Sequence, residues 1–132
     1  MKSARRGAAA LEFGLIFPLL VVMLLSIVDL GWYFHQRLGI VWAAAEGARR
    51  AAVTASDEDW AAAGKARVED VLGSLMIDAD AATVEVTPSA DANEDDQLTV
   101  SITLPYTPLF GLGVTPVALE ATASARMEDQ GE

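Results

Sequence analysis

Few side chains in this 132-residue chain are equipped for catalysis. It has no cysteine, which removes a thiol nucleophile, a disulfide scaffold and a zinc ribbon. His35 is the single histidine, too few for a histidine-based metal site or a serine–histidine–aspartate triad. Paired carboxylates are plentiful, but none sits in an apolar setting that would tune a general acid. Asp91-Ala92-Asn93-Glu94-Asp95-Asp96 alternates oxygen ligands as a calcium loop would. An EF-hand also needs glycine at its sixth position and glutamate at its twelfth, where this chain has Asp96 and Ile102. A solvated hairpin loop is the better reading there, with a looser calcium turn as the lesser one. There is no glycine-rich phosphate loop. No catalytic residue, metal or cofactor is expected, and the chain reads as a non-enzyme.

One acid has unusual surroundings. Glu12 heads the run Phe13 to Val28, 16 residues without a charge. An ionisable group at the edge of hydrocarbon is costly and is a functional candidate by default. The bland alternative is that Glu12 reaches the headgroups. As a helix the run rises about 24 Å, short of a hydrocarbon core of about 30 Å. Extended through Asp29 to Phe34, residues 13–34 reach about 33 Å, enough to span. Trp32 and Tyr33 then suit the outer interface, Asp29 lies about a turn inside it, and His35 is a polar edge residue. Pro18 inside the span removes an amide donor and predicts a kink.

The elements that carry these residues differ in charge. Residues 1–50 hold six basic and three acidic groups, a net of +3, whereas residues 51–132 hold three and sixteen, a net of -13. Lys2, Arg5 and Arg6 ahead of the span predict a cytoplasmic N-terminus and an external C-terminal region. A cleaved secretory signal has a shorter apolar core and a nearby small-residue cleavage site, neither of which fits here. The helix is expected to continue to Ala55, about 72 Å from Ala8, longer than the chain's own domain can cover. Gly39, Ala43, Gly47 and Ala51 recur every four residues, a ridge of small residues that lets another helix approach closely. Glu46 and Arg50 are spaced for an ion pair along the helix.

The stretch Arg6-Gly7-Ala8-Ala9-Ala10-Leu11-Glu12-Phe13 resembles a type IV prepilin processing site: a basic leader ending in glycine, then glutamate at the fifth mature position. With Pro18, Asp29-Leu30-Gly31 and Ala44-Ala45-Glu46-Gly47-Ala48-Arg49, residues 6–53 resemble the TadE-like family, minor pilins or pseudopilins of the Tad (Flp) pilus system. The resemblance implies cleavage between Gly7 and Ala8 by a membrane prepilin peptidase, with Arg5, Arg6 and Phe13 flanking the site. It also implies partners among other pilin subunits and the Tad assembly machinery, and an assembly role for the charge of Glu12.

The second region is acidic, which argues against binding nucleic acid. Ser56-Asp57-Glu58-Asp59 has the pattern of a helix cap, and Trp60 to Leu75 follows with Val68, Val71, Leu72 and Leu75 on one stripe. Gly64 and Gly73 weaken that helix. Thr83–Thr87, Leu98–Leu104 and Val117–Ala125 alternate as strands. The expected fold class is α+β, type IV pilin-like: a long N-terminal helix, a short helix and an antiparallel sheet of about three strands. The expected division is 1–7 leader, 8–55 TadE-like helix and 56–132 exported domain. The resulting expectation is a single-pass protein of the cytoplasmic membrane that enters a cell-surface pilus and serves assembly, adhesion or biofilm formation. It would have no small-molecule substrate. The alternative is an unprocessed bitopic protein whose external domain binds a partner.

Overall fold

The computed structural model describes residues 2–54, 59–88, 97–111 and 117–127, with the side chains of residues 2–6, 8 and 9 outside the description. Helix α1 spans Lys2–Val53 and α2 spans Trp60–Ser74. Strands β1 (Thr83–Pro88), β2 (Gln97–Pro105) and β3 (Ala118–Arg126) form an antiparallel meander in the order β1-β2-β3. This is the α+β, pilin-like layout expected from the alternation of periods.

Helix α1 has two unlike halves. Over residues 10–28 its side chains are exposed, with only Val21, Leu25 and Ser26 partly covered. From Asp29 to Ala52 one face is buried, with Gly39, Ile40, Ala43, Ala44, Gly47, Ala48, Ala51 and Ala52 inward. The sheet closes on that face through alternate residues of β2, Leu98, Val100, Ile102 and Leu104, and through Leu119 and Ala121 of β3. Their neighbours Thr103, Glu120 and Thr122 look outward, the period of two that a half-covered sheet requires. Register is set by pairs such as Val86 with Val100 and Ile102 with Ala121, which keep the apolar set on one face. Because β3 is largely alanine inward, α1 lies close to it, and Arg37 Nη1 donates to the Glu120 carbonyl at 2.7 Å.

The N-terminal end of α2 differs from the expected cap. Ser56 lies outside the described residues. Asp59 is the N-cap, its carboxylate accepting the Ala62 amide at 3.2 Å. At the C-terminus Met76 takes φ 57°, while the Ile77 amide donates to Leu72 O at 3.0 Å and the Met76 amide to Gly73 O at 3.1 Å. That is a Schellman turn with methionine where glycine is usual. It folds Ile77 back onto α1 at Gly39. Gly64, read as a weak point in the helix, sits where α2 crosses α1. A Cβ on it would lie 3.0 Å from Ala51 Cβ and 3.3 Å from Gly47 O. Close crossing offsets its poor helix propensity.

Candidate functional site

Three regions of α1 carry the residues of interest. At its N-terminal end Gly7, Glu12 and Phe13 are exposed, and a Cβ on Gly7 would meet nothing within 4 Å. The side chains of Arg5, Arg6 and Ala8 lie outside the described residues, as do Asp91–Asp96. Phe13 and Phe17 approach with ring centroids 5.5 Å apart on the bare face. Pro18 lies within α1, which continues past it as helix.

The second region is the small-residue ridge. The helix that approaches the ridge is the chain's own α2, with the turn after it. A Cβ on Gly39 would collide with Ile77 Cδ1, and one on Gly47 would lie 2.5 Å from Val68 Cγ2 and 3.2 Å from Gly64 O. Ala43 and Ala51 are buried in the same seam. The expected Glu46–Arg50 pair gives way to two others. Glu46 meets Arg49 at 3.3 Å and Arg67 of α2 at 3.5 Å, because the neighbouring helix brings a cation to the carboxylate's inner side. Arg67 also holds Asp70 at 2.6 Å. Glu46, Arg49, Arg50, Val53 and Arg67 border an open recess of about 480 Å³. Exposed pairs of this kind contribute about 0–1 kcal/mol each, so they orient α2 more than they hold it.

The third region is the level at which the bare helix meets the domain. Asp29 is 0% exposed. Its Oδ1 accepts the Phe110 amide at 3.0 Å, and its carbonyl accepts the Tyr106 hydroxyl at 3.2 Å. Tyr106 packs edge-on against Tyr33, centroids 5.3 Å apart at 87°. Asp29 is therefore covered by the chain's own protein groups. Tyr33 and Trp32, both partly buried, pack against the domain core. His35 stacks on Trp32 at 5.5 Å, and its Nε2 hydrogen bonds with the Leu75 carbonyl at 3.0 Å, joining α1 to the end of α2. The signal for this clamp was present in the sequence: Asp29 is the one charged side chain between Glu12 and Arg37, and a buried acid needs donors. Its partners, Tyr106 and Phe110, carried no comparable mark.

Burial, then the nearby Asp29 and Tyr33, holds the Tyr106 phenol above its usual range. The folded chain thus keeps that proton more tightly than the unfolded one. The resulting stabilisation is complete below the unfolded phenol value of about 10 and is lost as pH rises through the folded value. In detergent, the denaturant midpoint of the domain is expected to fall above about pH 10. Tyr106→Phe should start lower, by about 0.5–1.5 kcal/mol for the lost hydrogen bond, and fall less steeply. An equally steep fall in the variant would assign the loss to other groups.

The outer side of α1 remains apolar above the bare stretch. Leu38, Val41 and Trp42 are exposed, and with His35, Gly39, Ala45 and Leu75 they border a recess of about 430 Å³. Among the described residues no group of three or more histidines or carboxylates gathers as a metal site would require.

The family model described as TadE-like protein matches residues 7–49. Over that segment the chain is similar to the TadE-like family. The TadE-like segment starts at Gly7 and ends within α1, so it takes in the exposed Glu12, the clamped Asp29 and most of the ridge, about a third of the chain. The family is one of pilus components, not of enzymes. No curated protein and no solved structure matches the chain.

Proposed function

We propose that this protein is a minor pilin or pseudopilin of a Tad pilus, processed after Gly7 and anchored in the cytoplasmic membrane with its domain outside. The observation that carries the reading is the division of α1. The TadE-like segment includes a stretch long and apolar enough to cross a membrane, and that stretch is bare over residues 10–28. A bare apolar helix is served by lipid before assembly and by neighbouring helices after it. The exposed Leu38, Val41 and Trp42 extend that surface beyond the bilayer, which suits lateral contact with other pilin subunits. The partners in this reading are a prepilin peptidase, other pilins and the Tad assembly machinery.

N-terminal sequencing of the protein from cells that carry the peptidase is expected to begin at Ala8. A mature chain beginning at Met1 or Lys2 would reject processing and favour an unprocessed bitopic protein.

Glu12 is the charge assigned to assembly. Cleavage after Gly7 creates an α-amine at Ala8, largely protonated near neutral pH and one helical turn before Glu12. Glu12 is exposed on a helix of apolar neighbours, so its charge is best met by the amine of an adjacent subunit in the filament. Glu12→Gln keeps size and polarity but removes the charge. Membrane insertion and the cut are expected to stay near normal while incorporation into pili drops severalfold, measured as the ratio of sheared-pilus to membrane protein. Normal incorporation of the cleaved variant would leave Glu12 as an interfacial acid with no docking role.

A further inference from the structure

The segment Tyr106–Gly111 leaves β2 at the level of Asp29 and hangs beside the point where α1 becomes bare. Two of its side chains are half exposed: Leu109 at 53% and Phe110 at 51%. Val117, where the chain returns to β3, is also exposed. Outward apolar side chains on an acidic domain call for an explanation, and the charge pattern supplies one. The chain carries a net of -13 after residue 50, yet no charged residue occurs from Gln97 to Leu119. The rim next to the bare helix is therefore an uncharged stretch in an otherwise acidic half.

The vertical position can be placed against a bilayer. Residues 10–28 rise about 28 Å, close to a hydrocarbon core of about 30 Å. With that stretch in lipid, Asp29 and the loop pinned to it lie at the outer boundary of the hydrocarbon. Apolar side chains on a polar backbone are favoured at that depth, where interfacial segments bury about 5–10 Å into the headgroup and acyl boundary. The Phe110 amide is taken up by Asp29 Oδ1, so the loop enters this zone with that donor satisfied.

We infer that the Tyr106–Gly111 loop is a membrane foot: Leu109 and Phe110 seat the exported domain in the outer-leaflet interface around its own anchor, and Asp29 fixes the foot's height on α1. The occupant of this apolar rim is phospholipid, because the rim is continuous with the bare helix. The inference rests on the anchored reading of α1 and sharpens it. The upper edge of the span moves down from Phe34 to Val28, and residues 29–34 belong to the domain.

Nitroxide depth measurements test it on the full chain. The sequence has no cysteine, so each single substitution carries the only label. The chain is reconstituted in vesicles of phosphatidylcholine and phosphatidylglycerol, and collisions with oxygen are compared with those of a water-soluble nickel chelate. Leu109→Cys and Phe110→Cys report on the foot, Ile27→Cys on the anchor and Thr122→Cys on the outward face of the sheet. Leu109 and Phe110 are half exposed, so neither label needs to displace core packing. The expected result is a severalfold higher oxygen-to-nickel ratio at both foot positions than at Thr122→Cys, with Ile27→Cys higher still. Foot labels matching Thr122→Cys while Ile27→Cys is shielded would overturn the foot and leave the anchor standing. An aqueous ratio at Ile27→Cys would overturn the anchored reading and the foot with it. Foot labels exposed in vesicles but shielded in assembled pili would assign the rim to a neighbouring subunit and reject lipid as its occupant.

Discussion

Replacing Gly47 with leucine is expected to force α2 off α1 and lower the unfolding midpoint of the domain sharply. The first carbon of any side chain there would lie 2.5 Å from Val68 Cγ2 and 3.2 Å from the Gly64 carbonyl. A methyl group can rotate away, but a backbone oxygen at a helix crossing moves only with its helix. Overpacking costs about 1–3 kcal/mol and occasionally more, and this site belongs at the upper end because two backbones meet in it. Against a stability of about 5–15 kcal/mol for a domain, that is a large fraction. Gly73→Ala is the matched control. It lies in the same α2, a Cβ there meets nothing within 4 Å, and the change should stabilise by up to about 1 kcal/mol through helix propensity. Denaturant midpoints in detergent, with amide exchange of α2, check both. An unchanged midpoint in Gly47→Leu would contradict the crossing described above.

That result would also separate what the amino-acid order made legible from what it did not. The four-residue recurrence of Gly39, Ala43, Gly47 and Ala51 announces close helix packing, because small residues in one row leave a groove whichever helix fills it. It says nothing about whose helix arrives. Gly64 held the answer: a glycine inside a short helix invites a second backbone, and two glycines facing each other permit a crossing. The strands were readable because β2 alternates Leu98, Val100, Ile102 and Leu104 with polar residues, a period that only a half-buried strand explains. The Asp29 clamp was readable only at Asp29 itself, not at its partners. Its partners are a phenol and a backbone amide 77 and 81 positions away, and no local periodicity reports a contact of that range. Trp32 and Tyr33 were readable only in part for a related reason: amphipathic rings suit a membrane interface and a domain seam equally well, and their packing on the core is what the fold adds.

Substitution of Gly7 by valine is expected to abolish removal of the leader. The physical case is one of isolation. Gly7 is exposed in α1, a Cβ there would meet nothing within 4 Å, and nothing among the described residues requires glycine at this place. An effect of Gly7→Val therefore reports on recognition by a peptidase, where a β-branched side chain is wider and stiffer than none. Gly14 offers an internal control. It too has open space around it on the same helix, so Gly14→Val should be cut like the parent chain. Intact mass of the membrane-extracted protein reads both outcomes: only Gly7→Val should retain residues 1–7, with near-complete loss of the shorter species. Efficient cutting of Gly7→Val would remove Gly7 from the processing site and with it the proposed mature N-terminus at Ala8.

Because the bare stretch and the wall of the domain belong to one helix without a break, the processed α1 would carry mechanical load as one continuous rod, about 69 Å long from Ala8 to Val53. A tensile pull on the domain along the axis acts on the seam from Asp29 to Ala52 in shear, not in peel. Every contact in the seam resists at once, and none can be opened singly from an end. The side chains of Ile77 and Val68 sit over Gly39 and Gly47 like teeth in notches, so sliding the domain by one turn would drive each tooth against Ala43 or Ala51. Under the proposed anchoring, force applied to the domain would thereby be delivered to the bare stretch with little slack.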